Sequence, residues 1–287
     1  MRNKHAFSAW AFLTPALLLL AVFTFWPVLW GSYLAFTEYK VISPPRWVGL
    51  KNFEVLWEDP VFFISLKNSL LYLLIVPVIQ VCAVVLAVLV NNSLPGIKYF
   101  RAAFYMPVVT SVSVVGLMWG WMYNEQGLIN GILQWLRVIN EPIGWLNDDR
   151  IAIFSVMFVT LWRGLGWYMV LYLAALQSIP KDIEEAALLD GANRWQCFWR
   201  ITVPMIAPTI LLCTVMSTLA AMKVLEEVLI LTKGGPISST FTGLYYAYDQ
   251  GIRAFNFPRA LAASLIVSVM CIAVALLNFR FIRPQHR

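Results

Sequence analysis

Apolar runs long enough to cross a bilayer alternate with short polar stretches along the whole chain. A hydrocarbon core of about 30 Å takes about 20 mostly apolar residues as helix. By that rule the sequence predicts six spans: Ser8 to Ala35, Leu66 to Val90, Phe104 to Tyr123, Ile151 to Leu176, Met205 to Leu231 and Arg259 to Phe281. Backbone groups in lipid must be satisfied internally, which leaves helices or closed barrels, and continuous runs of this length are not barrel strands. The predicted fold class is all-α, a polytopic helical membrane bundle with six transmembrane helices.

The organisation follows from those spans. Residues 1–65 hold the first helix and a first outer segment. Residues 66–281 form a core of five helices that includes a polar loop at 178–204, and residues 282–287 form a tail. Arg2 and Lys4 precede the first run in the manner of a signal peptide. Its apolar stretch is too long for a signal core and contains Pro15 and Pro27, so it reads as an uncleaved membrane helix. No internal repeat, low-complexity tract or separate soluble domain is visible.

Composition sharpens the class. Of 287 residues 60% are hydrophobic and 13% charged, with a mean hydropathy of +0.72. Soluble chains are about half apolar and about one quarter charged. The 13 Trp and 11 Tyr suit a membrane protein, because such rings collect at membrane–water boundaries. The net charge of +6 comes without any long basic run, so nucleic acid is not an expected partner. Cys82, Cys197, Cys213 and Cys271 form no close pair, and His5 and His286 stand at the two termini. Metal ligation and histidine chemistry have almost no raw material.

Positive charge sets the expected orientation. An even number of spans puts both termini on one side. The short segments on that side carry Arg2 and Lys4, Lys98 and Arg101, Lys181, Arg194 and Arg200, then Arg280, Arg283 and Arg287. The longer opposite loops spread a similar number of cations more thinly. Both termini are therefore expected in the cytoplasm, with Phe36 to Ser65, Asn124 to Arg150 and Thr232 to Pro258 outside.

The loop between the fourth and fifth spans reads as two short helices. Pro180 suits a helix start, Asp182, Glu184 and Glu185 lie near the positive end of its dipole, and Gly191 is a natural stop. A second helix follows, with Trp195, Phe198, Trp199 and Thr202 at helical spacing on one face. Ala186 and Ala187 are too small to anchor a helix by buried area, but they let another backbone approach. Such a hairpin either lies on lipid or on its own bundle, or docks into a cytoplasmic partner.

Polar residues inside the spans need reasons, since a mid-span charge costs about 2.5–3.5 kcal/mol on insertion scales. Lys223 is spaced to reach Glu226 or Glu227 on one helix. Arg163 has no acidic neighbour in its own span, which favours a polar cavity. Trp162, Trp167 and Tyr168 flank it, whereas Trp119, Trp121 and Tyr123 end the third span like an interfacial belt. Arg163, Tyr168, Glu226 and Asn124 are the candidate solute contacts. Gly164 and Gly166 serve either close helix approach or gating.

The spacing Glu185-Ala186-Ala187, Gly191, Ile201, Val203-Pro204 resembles the EAA loop of binding-protein-dependent ABC transporter permeases, with Val203 where the family usually has Leu. Val48-Gly49-Leu50-Lys51-Asn52-Phe53, Met106-Pro107, Gly127-Leu128-Ile129-Asn130, Asp190-Gly191-Ala192 and Leu231-Thr232-Lys233-Gly234-Gly235-Pro236 resemble its carbohydrate-uptake branch, that of maltose, lactose and glycerol-3-phosphate permeases. The resemblance covers almost the whole chain. It implies a type I importer fold in the inner membrane, with a second homologous permease subunit, two ATPase subunits and a periplasmic or surface-anchored solute-binding protein as partners. It implies a sugar-like solute, and ATP and Mg used by the ATPase rather than bound by this chain. Glu185, Ala186, Ala187 and Gly191 would then carry coupling, with Asp182, Glu184 and Arg194 as polar contacts to the ATPase.

Rival classes fare less well on the residues. A self-contained carrier commonly shows duplicated halves, which are not visible here. A membrane enzyme needs a nucleophile–base pair or metal ligands in a cleft. No Gly-x-x-x-x-Gly-Lys-Ser/Thr loop for phosphate occurs.

Overall fold

The structure is a computed structural model that describes residues 2–40, 42–91 and 95–281. The predicted tail at 282–287 lies outside the described residues. Helices carry nearly all the regular structure, and one short antiparallel pairing, Thr37–Glu38 with Arg46–Trp47, closes a loop just after the first span.

Among the described residues five helical stretches are long and apolar enough to cross a membrane: Trp10–Leu34, Pro60–Val90, Ala152–Gln177, Ala207–Leu231 and Phe257–Arg280. These are spans 1, 2, 4, 5 and 6. The second begins six residues earlier than the apolar pattern suggests, because Pro60 opens the helix ahead of the apolar run.

The third predicted span is not one straight helix. Ile97–Val109 and Val112–Met122 meet at a bend of 100°. Thr110 and Ser111 both adopt extended backbone, with ψ of 138° and 135°. Pro107 cannot donate the helical bond at its own nitrogen, and the β-branched run Val108, Val109, Thr110 holds helix poorly. The helix ends there for both reasons.

Span 5 is also interrupted. Ala207–Met222 stops at Lys223, and Glu226–Leu231 restarts after Leu225 with φ of −134°. The freed carbonyl of Val224 accepts a hydrogen bond from the Thr242 hydroxyl at 2.6 Å. Broken helices at membrane depth are tolerated where such partners replace the lost backbone bonds.

The described residues fall into two compact units. One comprises the chain up to Pro60 together with Tyr246–Ile266. Within it an aromatic ladder runs Trp30, Tyr33, Trp47, Phe36, Phe53, with ring centroids 5.0–5.9 Å apart. The Tyr246 hydroxyl donates to Asp59 Oδ2 at 2.6 Å. Burial, and then Asp59, hold that phenol well above the ordinary tyrosine range.

The other unit spans Val61–Tyr245 and continues from Val267. Spans 2 and 4 pack along their length there, around Ile79, Ala83, Ala87, Val156, Met169 and Tyr172. Asn68 of span 2 donates to the carbonyls of Ser239 and Phe241 at 2.8 and 2.9 Å, and Ser69 Oγ accepts from the Gly243 amide at 2.8 Å. The segment after span 5 is thereby pinned to span 2.

Trp119 and Tyr123 correct the interfacial reading of the third span's end. Both are buried with Val115 and Val159 against Trp145 and Trp162, and the Tyr123 hydroxyl donates to the Ser155 carbonyl at 3.0 Å. Only Trp121 of the three is exposed. The outer segment after it folds around Asn130, whose fully buried amide bonds Ile143 at both its N–H and its carbonyl.

Candidate functional site

Arg163 sits midway along span 4, and its guanidinium donates to Glu227 Oε1 at 2.8 Å. Glu227 is buried, in the first turn after the span 5 break. The break explains why Lys223 does not take the expected same-helix partner. Lys223 ends one helix and Glu226 starts another, so i+3 and i+4 spacing no longer puts these groups on one face. Arg163 takes Glu227 across helices instead. Sequence spacing identified Arg163 as needing a partner and missed Glu227 as the partner, because the pairing depends on a turn that carries no Gly or Pro.

A cavity of about 500 Å³ opens beside this ion pair. Its polar wall includes Thr160, Arg163, Ser217, Lys223, Glu226 and Glu227; Ile75, Ile79, Val108 and Leu244 are apolar neighbours. Trp167 and Tyr168 face the same space. Of the sequence-predicted solute contacts, Arg163, Tyr168 and Glu226 thus meet at one place. Asn124 does not join them. It is exposed at the end of the third span, where its side chain accepts from the Gln126 amide at 3.0 Å.

Gly166 and Gly164 lie on the same helix, and the structure favours close approach. A Cβ at Gly166 would stand 2.0 Å from the Phe104 carbonyl oxygen, and one at Gly164 would stand 2.9 Å from Ile79 Cδ1. Below the cavity, Gln80, Tyr172 and Ser217 link spans 2, 4 and 5. The Tyr172 hydroxyl donates to Gln80 Oε1, and Gln80 Nε2 donates to Ser217 Oγ at 2.7 Å and to the Cys213 carbonyl at 3.1 Å.

The hairpin between spans 4 and 5 forms as the sequence suggests, with one change. Its first helix is Lys181–Leu189. Gly191, at φ of +84°, closes it in a Schellman motif: Ala192 N–H bonds the Ala187 carbonyl and Gly191 N–H bonds that of Leu188. Asn193 and Gln196 then form a capping box that starts Arg194–Cys197. From Phe198 to Thr202 the helix widens to a π-turn. That extra residue shifts Thr202 off the expected face, while Trp195, Phe198 and Trp199 still cluster at centroid distances of 5.2–6.5 Å.

Asp182, Glu184, Glu185, Ala186, Gly191 and Arg194 are all exposed on this hairpin, and Ala187 is half-buried. Leu189 is 88% and Trp195 70% exposed. A second cavity, of about 680 Å³, lies between the hairpin and the ends of spans 2 and 4, with Arg101, Lys181, Glu184 and Glu185 on its walls. Among the described residues no cluster of His, Cys, Asp and Glu could hold a metal ion.

A polar cavity at two broken or bent spans, joined to an exposed helical hairpin, defines a transport component. The family described as the binding-protein-dependent transport system inner membrane component matches residues 61–284. The chain belongs to that family. It is therefore a permease component of an ABC transporter and not the ATPase.

The chain is 32% identical to the lactose transport system permease protein LacF of Rhizobium radiobacter, over 99% of this chain and 97% of the relative. It is 34% identical to the probable ABC transporter permease protein YurN of Bacillus subtilis, over 99% and 98%. Among solved structures, a bacterial ABC transporter involved in the import of the acidic polysaccharide alginate shares the fold, with a TM-score of 0.84 at 23% identity, over 99% of this chain and 98% of that one.

Proposed function

We propose that the chain is one of two permease subunits of an importer for a sugar or related small solute, driven by ATP and Mg bound to two separate ATPase subunits and supplied by a solute-binding protein. The observation that carries this reading is the hairpin at Lys181–Cys197. It leaves Leu189 and Trp195 exposed outside every span, on helices bounded by a Schellman stop and a capping box. Large apolar side chains held out in this way mark an interaction surface. The small Ala186 and the half-buried Ala187 allow a partner's backbone to come close.

On this reading Glu185, Ala186, Ala187 and Gly191 transmit the ATPase stroke, and Asp182, Glu184 and Arg194 contact the ATPase. Both termini and the hairpin face the cytoplasm. The cavity at Arg163, Tyr168, Glu226 and Glu227 forms this subunit's part of the solute pathway, and the relative named for lactose transport supports the solute class.

Replacing Ala187 or Gly191 with Leu should abolish uptake and solute-stimulated ATP hydrolysis while insertion and expression stay normal. Gly191 has open space around its Cβ position, so its replacement acts through backbone conformation. Wild-type uptake in both variants would count against docking. Nucleotide-free transport by vesicles holding this polypeptide alone would overturn the reading as a whole.

A further inference from the structure

The walls of the Arg163 cavity carry two cations and two carboxylates: Arg163 and Lys223 against Glu226 and Glu227. Charge is therefore balanced within this one chain. The balance is also organised. Arg163 is already committed to Glu227 at 2.8 Å, and Glu227, with 9% of its side chain exposed, has little water to replace that partner. The neighbouring polar groups are Thr160 and Ser217 hydroxyls, which both donate and accept, and Trp167 offers a ring that is 40% exposed.

Resting on the proposed import function, we propose that this cavity selects an uncharged, polyhydroxylated solute and excludes its acidic counterparts, with the Arg163–Glu227 ion pair as the selecting element. An anionic solute would seek the guanidinium. It could reach it fully only by displacing Glu227, which leaves a buried carboxylate without its cation. Solute hydroxyls meet no such obstacle. They can accept from the remaining guanidinium N–H groups and donate to the free carboxylate oxygen while the pair stays closed. Discrimination thus arises from a penalty against the charged competitor more than from an added attraction to the neutral one. The cavity's size, about 500 Å³, lies within the range of sites for small organic molecules.

The test uses matched pairs that differ by one carboxylate: lactose with lactobionate, and maltose with maltobionate. Binding to the full permease–ATPase complex in nanodiscs, without the binding protein, is read by saturation-transfer NMR. Wild type should bind at least one neutral sugar at least tenfold better than its acid. Glu227→Gln leaves Arg163 without its counter-charge and should shrink that ratio to about twofold or below. The double variant R163Q/E227Q removes the pair and its penalty altogether, so it should likewise hold the ratio at about twofold or below, and it keeps the test open should E227Q fail to assemble.

Equal or tighter binding of the acids by wild type overturns the proposal. So does an unchanged ratio in E227Q, or a wild-type complex that binds none of the four. The underlying import reading is checked separately in the same preparation, by ATP hydrolysis that depends on the hairpin. Its loss in G191L, with selectivity gone astray, would condemn selectivity alone.

Discussion

Gln80 is the one amide in a run of Val, Ile, Leu and Ala, and it holds three spans through Tyr172, Ser217 and the Cys213 carbonyl. Replacing it with Leu fills the space but leaves the Tyr172 and Ser217 hydroxyls without their shared partner. A lost hydrogen bond that strands a buried group costs about 1–3 kcal/mol, though bonds between membrane helices average nearer 0.6 kcal/mol. Q80L should therefore destabilise the purified complex by about 1–2 kcal/mol. Q80L/Y172F should be less than additive in thermal denaturation, because the second change removes the stranded Tyr172 hydroxyl, whereas Ser217 keeps its bond to the Thr214 carbonyl. Additive losses would show that the network carries no coupling.

The same scale shows what a sequence can say about a site. Arg163 was legible as a residue in need of a counter-charge, since no acid lies near it in span 4. Glu227 was not, because the pairing crosses from one helix to another and depends on the turn at Lys223–Leu225. Local spacing instead offered Lys223 as its partner. Trp119 and Tyr123 were hidden for a related reason: a ring at a span end looks interfacial until a neighbouring helix covers it.

At the scale of elements, the two close glycines of span 4 make a sharp contrast. Gly166 lies against the Phe104 carbonyl, where a Cβ would stand at 2.0 Å, and backbone cannot yield without moving the inner limb of the third span. Gly164 meets the end of the flexible Ile79 side chain, where a Cβ would stand at 2.9 Å. Gly166→Ala should reduce folded, complex-assembled protein severely, whereas Gly164→Ala should be tolerated with a loss of about 1–2 kcal/mol, inside the usual cost of overpacking. Detergent-stable yield and limited proteolysis distinguish the two. Equal behaviour would mean that the third span is free to slide along span 4.

Elements were legible where composition alone decides them. Apolar length gave the spans, and Pro180 with Gly191 gave the bounds of the first hairpin helix. The break at Lys223–Leu225 was not, because it contains no Gly or Pro, and at Thr110–Ser111 the preceding Pro107 marks a kink without fixing a bend of 100°. The carbonyl of Val224 is satisfied from afar, by the Thr242 hydroxyl. The π-turn at Phe198–Thr202 was equally silent, since a single added residue leaves no trace in the pattern.

For the whole molecule the bent third span sets the parity of membrane crossings. If Ile97–Val109 and Val112–Met122 together cross once, four crossings separate the N-terminus from the hairpin and both lie on one side. If the 100° bend makes the pair re-entrant, three crossings separate them and they lie on opposite sides. The proposed orientation requires the first arrangement, and the positive charges of Arg2 and Lys4 at one end and of Lys181, Arg194 and Arg200 in the hairpin support it. Single cysteines test it directly. Leu189, 88% exposed in the hairpin, and Ile237, 89% exposed after span 5, offer clear labelling sites. Three of the four native cysteines are buried, so background should be low. In sealed right-side-out vesicles an impermeant maleimide should label Ile237→Cys and spare Leu189→Cys. An epitope at the N-terminus should resist external protease together with Leu189→Cys. Protection of one without the other would make the third span a re-entrant pair, and labelling of Leu189→Cys would take the hairpin away from any cytoplasmic ATPase.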